Sequence, residues 1–255
     1  MRLTRDGRMI GRPVPLIGTS QRSSGNLLVQ AGPADLRVSP NGKLAAYWIG
    51  VNHQTCNPVT SMCDYRLQDD VVVTRVDRFT SFTRYGLTRD YREPSWYSNE
   101  LLLMFNYGLA ETVAIDRLGE GDANLAAWFS DPQGAQLGKG QAAARAPVLA
   151  VLAGTNRAGA PQETIRLYAI PGGAGLPVPI CQIVGAMGGR FTDLTWQRNG
   201  RALAWQEADG IHVAPVPDLA APNVDCTAIR DRRVLRGSEP FWGPKAVGRR
   251  DGLRR

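Results

Sequence analysis

The sequence contains no long uninterrupted apolar run. A membrane-spanning helix needs about 20 consecutive apolar residues, and no stretch of the chain approaches that length. Residues 1–15 carry charges throughout and have no apolar core of the kind that defines a secretory signal. We therefore expect no transmembrane segment. The chain is expected to be either cytoplasmic or, as the repeats described below favour, an N-terminally truncated piece of a longer protein.

Histidine is scarce, and the cysteines do not follow the spacing of a zinc site. The chain has two histidines and four cysteines, and no two cysteines form a C-x₂-C pair, so no metal site is expected. An even number of cysteines fits two disulfides, Cys56–Cys63 and Cys181–Cys226. Four cysteines allow three pairings, and reduced buried cysteines are the alternative. Disulfides would indicate an oxidising compartment, periplasmic or extracellular.

The sequence also lacks the common catalytic and nucleotide-binding motifs. It has no G-x-S-x-G elbow, no phosphate-binding G-x-x-x-x-G-K-[ST] loop and no EF-hand spacing. A Ser/His/Asp set would have to use His53 or His212, and His212 lies in an alternating β-run that is typical of a structural histidine. The sequence therefore predicts no enzyme activity, no catalytic residue and no cofactor.

Positive charge is present in excess, but it is confined to the two ends. The net charge is +7, of which residues 1–22 contribute +4 and residues 230–255 contribute +6, so residues 23–229 carry about −3. Blocks of like charge are commonly disordered, and we expect basic, poorly ordered segments at 1–22 and 248–255. Because the body of the chain is slightly acidic, binding to nucleic acid is not expected.

A phrase of strand, turn and strand recurs along the chain. Glycine and proline are plentiful (28 and 17 residues), as in all-β domains with frequent turns. Full copies span residues 35–48, 93–105 and 192–205, a degenerate copy has its turn at 139–145 and its strand at 146–153, and the front of a further copy spans 238–244. Asn41-Gly42 and Asn199-Gly200 predict two-residue hairpin turns. The spacing of about 45 to 58 residues is typical of propeller blades.

A second set of β-rich runs follows the copies at similar distances. These runs are residues 70–76, 111–116, 164–170 and 210–215. Residues 25–30 are expected to form the last strand of an earlier blade. Four strands per repeat predict an all-β fold, a β-propeller of four-stranded blades, with about four full blades, partial ones at the ends and an incomplete ring as one possibility. The propeller domain is expected to span residues 23–247.

The repeat phrase resembles that of a known family. Residues 38–47 (VSPNGKLAAY) are similar to the S-P-D-G-K-x-[IL]-A-[FY] signature of TolB-like, or PD40, propeller repeats, which belong with the WD40-like propellers. Pro94-Ser95-Trp96 and Leu194-Thr195-Trp196 resemble the P-x-W that precedes it. The resemblance covers about residues 34–247. Asparagine replaces the usual turn aspartate. The resemblance to TolB-like repeats implies a propeller fold and a bacterial envelope protein that binds other proteins.

One irregular segment, residues 51–67, is the expected contact loop. It carries His53, Met62 and Tyr65 and is closed by the expected Cys56–Cys63 disulfide. Function in rigid scaffolds is carried by such loops. The sequence thus favours a non-enzymatic scaffold that binds a protein partner or a cell-envelope component. The alternative is the propeller portion of a larger prolyl-peptidase-like hydrolase whose catalytic domain lies outside this chain.

Overall fold

The described part of the chain is almost entirely β-structure. The computed structural model describes residues 2–3, 9–10, 22–23, 27–86, 94–106, 109–114, 125–154, 162–173, 175–185, 191–237 and 240. Over these residues the only helices are two single-turn 3₁₀ helices, η1 (Pro171–Gly173) and η2 (Cys226–Ala228). The chain divides into two compact units, Met1–Trp128 and Phe129–Arg255.

The first unit contains one ribbon of two strands and the largest sheet. The ribbon pairs β1 (Arg2–Leu3) with β2 (Met9–Ile10). The first large sheet has the order β3 (Arg22–Ser23), β4 (Leu27–Val38), β5 (Leu44–Cys56), β6 (Cys63–Arg75) and β7 (Arg78–Gly86). The prediction that residues 25–30 end an earlier blade is wrong, because Leu27 pairs with His53 of β5 in this same sheet.

Three four-stranded sheets follow along the chain. The second sheet consists of β8 (Ser95–Trp96), β9 (Leu101–Asn106), β10 (Leu109–Ala114) and β11 (Leu125–Ser130). The third consists of β12 (Gln136–Ala142), β13 (Val148–Gly154), β14 (Gln162–Ala169) and β15 (Val178–Val184). The fourth consists of β16 (Leu194–Trp196), β17 (Ala202–Glu207), β18 (Gly210–Pro215) and β19 (Arg232–Leu235).

In each of these sheets, neighbours in space are also neighbours in sequence. Such up-and-down sheets of four strands are the blades of a β-propeller, and the predicted fold class is confirmed in the described residues. The four β-rich runs of the sequence overlap β6, β10, β14 and β18, and residues 115–116 of the second run lie outside the described residues. The partial copy at 238–244 lies outside the described residues except for Pro240.

The turn of the repeat phrase differs from the predicted two-residue hairpin. The amide of Gly42 donates to the carbonyl of Ser39 (2.8 Å), and Gly42 has a φ of 75°. Asn41 does not share this left-handed conformation. Its side-chain oxygen instead accepts a hydrogen bond from the amide of Lys43 (3.0 Å). Residues 197–201 repeat these contacts. The longer loop needs a left-handed residue at one position only, and asparagine closes it through its side chain.

The degenerate copy keeps the length and the closing bond of this turn but not its left-handed residue, since Ala146 does not have positive φ. The amide of Ala143 donates to the carbonyl of Val148 (3.0 Å), as that of Ser39 donates to Leu44 (2.9 Å). The sequence placed the turn at 139–145, but Lys139 belongs to β12 and the loop spans 143–147. Packing of the flanking strands therefore maintains a loop that the local sequence no longer specifies.

Each unit has an apolar core between successive blades. In the first unit the core contains Ala46, Val71, Val73, Trp96, Leu102 and Met104. The larger core of the second unit includes Leu152, Ile165, Leu167, Trp196, Leu203 and Trp205. The indole of Trp96 donates to the carbonyl of Arg37 (2.9 Å), and that of Trp196 donates to Gln141 (2.9 Å). The recurring tryptophan thus packs in the core and binds the preceding blade by a hydrogen bond.

Candidate functional site

The β5–β6 hairpin is longer than the hairpins of the other blades. β5 and β6 have 13 residues each, whereas β9, β10, β17 and β18 have six. Their pairing is continuous from Leu44 opposite Arg75 to Cys56 opposite Cys63. Seven additional residues extend a strand by roughly 20 Å. Pairing with β4 supports the extension as far as His53.

A disulfide and a compact loop close the far end of this hairpin. Cys56 and Cys63 are bonded, with their Cα atoms 4.0 Å apart, and residues 57–62, here called the tip, connect them. The amide of Asn57 donates to the carbonyl of Met62 (2.8 Å), and the amide of Ser61 donates back to the carbonyl of Asn57 (2.9 Å). The side-chain oxygen of Asn57 also accepts from the amide of Val59 (2.8 Å). These bonds define the backbone conformation of the tip.

The tip presents two apolar side chains to solvent. Val59 is 89% exposed and Met62 is 73% exposed, the highest values among the exposed large hydrophobic residues in the described chain. By contrast, Met104 in the core of the same unit is 2% exposed. Large apolar side chains held outward on a defined loop are typical of a contact surface rather than of a folding core.

The predicted contact residues separate into a tip residue and two strand residues. Met62 lies in the tip, whereas His53 is in β5, opposite Arg66, and Tyr65 is in β6, opposite Gln54. The backbones of His53 and Tyr65 are described, but their side chains lie outside the described part. The prediction of an irregular loop over 51–67 is wrong, because strand pairing continues as far as the disulfide and leaves only the tip as a loop.

The second disulfide attaches a loop to the outer strand of the third sheet. Cys181 of β15 is bonded to Cys226 of η2, with Cα atoms 5.5 Å apart and a sequence separation of 45. Asp225 caps η2 by accepting from the amide of Thr227 (2.9 Å). Both pairings match those that the sequence favoured, and no cysteine is free.

A histidine surrounded by carboxylates lies on one face of the fourth sheet. Trp205 of β17 is opposite His212 of β18, and Glu207 follows Trp205 on the same face. The Nδ1 atom of His212 is 2.6 Å from Asp231 Oδ2 and 3.9 Å from Glu207 Oε1, and its Nε2 atom is 2.8 Å from Asp209 Oδ1. The indole of Trp205 stacks on the imidazole and donates to Glu207 Oε1 (2.8 Å).

The electrostatic environment of His212 favours its charged form. Burial of the ring opposes protonation, but hydrogen bonds to Asp231 and Asp209 and the charge of Glu207 outweigh it, and the pKa of His212 is raised. The hydrogen bond with His212 lowers the pKa of Asp209. Both ring nitrogens face carboxylates, so His212 does not activate a hydroxyl nucleophile in this arrangement.

The sequence predicted a half-buried structural histidine and missed the carboxylates around it. His212 is indeed buried. The signal was present in residues 207–212, where a two-residue turn between two strands brings Glu207 and His212 onto neighbouring strands. Asp231 could not have been found in this way, because its position depends on the bulged pairing of β19 with β18.

A second buried charged group lies between β11 and β14. Arg166 forms a salt bridge with Asp131, whose side chain is fully buried. Tyr168 donates to the same carboxylate (3.2 Å), and the amides of Gln133 and Ala135 donate to its other oxygen (3.0 and 2.9 Å). Burial and the charge of Asp131 raise the pKa of Tyr168, so the hydroxyl remains a donor. Within the described residues these bonds satisfy the Asp131 carboxylate but leave Arg166 Nε without a hydrogen-bond partner, and the network has the character of a structural element.

No helix in the described ranges combines the length and the apolar character that crossing a membrane requires.

Comparisons with known proteins assign the chain to no family. No protein-family model matches the sequence, and no curated protein matches it significantly. Among solved structures, the chain is similar to the β-propeller domain of Cps50 (Swd1) from Myceliophthora thermophila, with 13% identity, a TM-score of 0.48, and coverage of 81% of this chain and 72% of that one.

Other similar structures differ widely in their described roles. A provisionally assigned 6-phosphogluconolactonase of Bacteroides fragilis is 12% identical with a TM-score of 0.45, covering 82% of this chain and 73% of that one. A chain of the mitotic checkpoint complex is 12% identical with a TM-score of 0.41, covering 83% and 86%. Likeness at this level concerns the fold alone.

Proposed function

We propose that this chain is a propeller module that binds a protein partner, or a proteinaceous component of the cell envelope, through the tip of the β5–β6 hairpin. The observation that carries the proposal is the outward display of Val59 and Met62 on a loop closed by a disulfide and by its own hydrogen bonds. The blades supply a rigid base for this element.

The energetics of the tip suit binding. Burying a side chain such as Val or Met stabilises a complex by about 1.5–3 kcal/mol, so the two together are a useful anchor. Ordering a loop on binding costs free energy, and the disulfide and the Asn57 hydrogen bonds remove much of that cost in advance. An apolar pocket on the partner, wide enough for one valine and one methionine, is the matching surface.

Two disulfides support a location in an oxidising compartment, periplasmic or extracellular. Disulfides persist there and are reduced in most cytosols, and all four cysteines of this chain are paired. Together with the phrase at residues 38–47, this supports the proposal that the chain belongs with TolB-like envelope propellers.

Photo-crosslinking tests the proposal. Benzoylphenylalanine is placed at Val59 or, as a matched control, at Val184, which is 64% exposed on β15. After irradiation in cells that make the protein, we expect one discrete adduct from position 59 and none of that mass from position 184. Excess wild-type chain should compete the adduct away, and a V59S/M62S chain should not. Equal adducts from both positions, or equal competition by both chains, would overturn the proposal.

A further inference from the structure

We propose that Glu207, His212 and Asp231 form a binding site for one divalent transition-metal ion, of which zinc is the best chemical match. One ligand atom from each of the three residues, an imidazole nitrogen and two carboxylate oxygens, lies within 4.8 Å of the other two. Nothing in the proposed binding function of the tip requires this site, and it lies in the second unit.

The two separations that involve the imidazole Nδ1 lie within about 0.7 Å of those in a zinc shell. Zinc bonds to nitrogen and oxygen are about 2.0–2.2 Å long, which sets tetrahedral ligand atoms roughly 3.3 Å apart. The distance from Nδ1 to Asp231 Oδ2 is 2.6 Å and that from Nδ1 to Glu207 Oε1 is 3.9 Å. Zinc binding therefore requires the first distance to increase by roughly 0.7 Å and the second to decrease by roughly 0.6 Å. Asp231 is half-exposed and lies just before β19, so its carboxylate has room to move.

Asp209 and Trp205 form hydrogen bonds with the ligand residues, as supporting side chains do in metal sites. A metal-bound histidine usually donates its second ring nitrogen to a carboxylate, and here Nε2 is 2.8 Å from Asp209 Oδ1. The Trp205 indole donates to Glu207 and stacks on the imidazole, which fixes both ligands. The His212 side chain is 11% exposed, and its Nδ1 atom lies 2.6 Å from Asp231 Oδ2 and 3.9 Å from Glu207 Oε1. The site is thus centred on a largely buried histidine rather than on a surface cluster of acids.

The donor set selects the class of ion. Calcium and magnesium prefer shells made entirely of oxygen, whereas imidazole favours zinc and its neighbours in the first transition row. Three protein ligands leave a fourth position, which in zinc sites is taken by water or by a further ligand. All cysteines are in disulfides, so no thiolate in this chain competes for the ion.

Zinc titration of the untagged full chain at pH 8, by calorimetry and by equilibrium dialysis, tests the site. We expect saturable binding of one ion per chain and a rise in the melting temperature with zinc. E207Q and H212Q should each weaken binding at least tenfold. D209N, which removes the group behind the imidazole, should weaken it by about 10–100-fold. D218N, which alters an exposed carboxylate paired with Arg201, is the matched control and should bind as the wild type does.

Two outcomes would overturn the proposal: no saturable binding, or unchanged affinity in H212Q. The chain has one other histidine, His53, so binding that survives in H212Q would belong elsewhere. If H212Q does not fold, D231N replaces an exposed side chain and answers the same question. Cobalt(II) substitution adds a spectroscopic readout, since the visible absorption of tetrahedral cobalt should appear in the wild type and be lost in D231N.

Discussion

Asp131 illustrates how a single buried charge is held in this fold. Its side chain is fully buried, and it accepts bonds from Arg166, Tyr168 and two backbone amides. Removing one partner of a buried ion pair leaves the other charge uncompensated, which typically costs about 3–5 kcal/mol. Because the Arg166 side chain is 14% exposed, water can solvate part of its charge, which favours the lower end of this range. We therefore expect D131N to lower the free energy of unfolding by about 3 kcal/mol in urea denaturation.

The control for Asp131 is an ion pair at the surface. Asp218 and Arg201 lie 2.9 Å apart, but both side chains are more than half exposed. Solvent screening limits such pairs to less than about 1 kcal/mol, so D218N should change stability by no more than that. Similar losses in D131N and D218N would show that burial of the Asp131 network contributes nothing.

The glycines of the repeat turn differ in what an added methyl group would meet. Gly42 and Gly200 both have positive φ, which costs a residue with a Cβ about 1–2 kcal/mol. A Cβ on Gly42 meets open space, whereas one on Gly200 would lie 2.7 Å from the Cβ of Ala146. We therefore expect G42A to destabilise by about 1–2 kcal/mol and G200A by clearly more. Equal costs in thermal or urea unfolding would contradict this.

The same turn shows what local sequence can and cannot predict. Asn-Gly correctly marked a turn, because glycine is favoured wherever φ is positive. It misassigned the turn type, because asparagine tolerates two roles, a left-handed backbone and a side-chain acceptor, and the sequence does not distinguish them. The copy at 143–147 has neither residue; it keeps the length and the closing bond of the loop without a left-handed residue.

At the scale of elements, the tryptophan that recurs in the phrase joins successive blades. The Trp196 side chain is buried in the second unit's core, and its indole donates to the carbonyl of Gln141. Phenylalanine retains apolar volume but leaves that carbonyl without its donor, at a cost of about 1–3 kcal/mol. We expect W196F to lower stability by that amount in urea denaturation. An unchanged urea denaturation midpoint would show that water donates to the Gln141 carbonyl in place of the indole.

The two disulfides should differ in their contribution to stability. In the chain-entropy view, a cross-link over 45 residues stabilises by roughly 4 kcal/mol and one over seven residues by roughly 2.5 kcal/mol. The Cys181–Cys226 bond also packs beside the larger core, whereas Cys56–Cys63 closes the far end of a hairpin. We expect C181A/C226A to lower the denaturation midpoint more than C56A/C63A does. The reverse order would contradict this assignment.

The long β5–β6 hairpin is the element that the sequence predicted least well. Residues 51–67 lack the strict alternation of apolar and polar side chains that identifies a half-buried strand. Their strand structure depends instead on continuous pairing from the blade outward and on the terminal disulfide.

At the scale of the whole molecule, repetition was the informative feature of the sequence. Four copies of one phrase were enough to predict four-stranded blades, because each blade must cover the apolar face of the next. Asp231 beside His212 could not be predicted, since its position depends on the bulged pairing of β19 with β18. Patterns of burial repeat from blade to blade, whereas the cluster of His212 with its carboxylates belongs, among the described residues, to one blade.

The most direct measurement of the central claim is the oxidation rate of Met62. Limited oxidation with hydrogen peroxide, followed by peptide mass spectrometry, compares the purified chain with the chain in the cells that produce it, with buried Met104 as the internal reference. We predict rapid oxidation of Met62 in the purified chain and strong protection in cells, with Met104 protected in both. Equal oxidation of Met62 in the two settings would contradict the binding role of the tip.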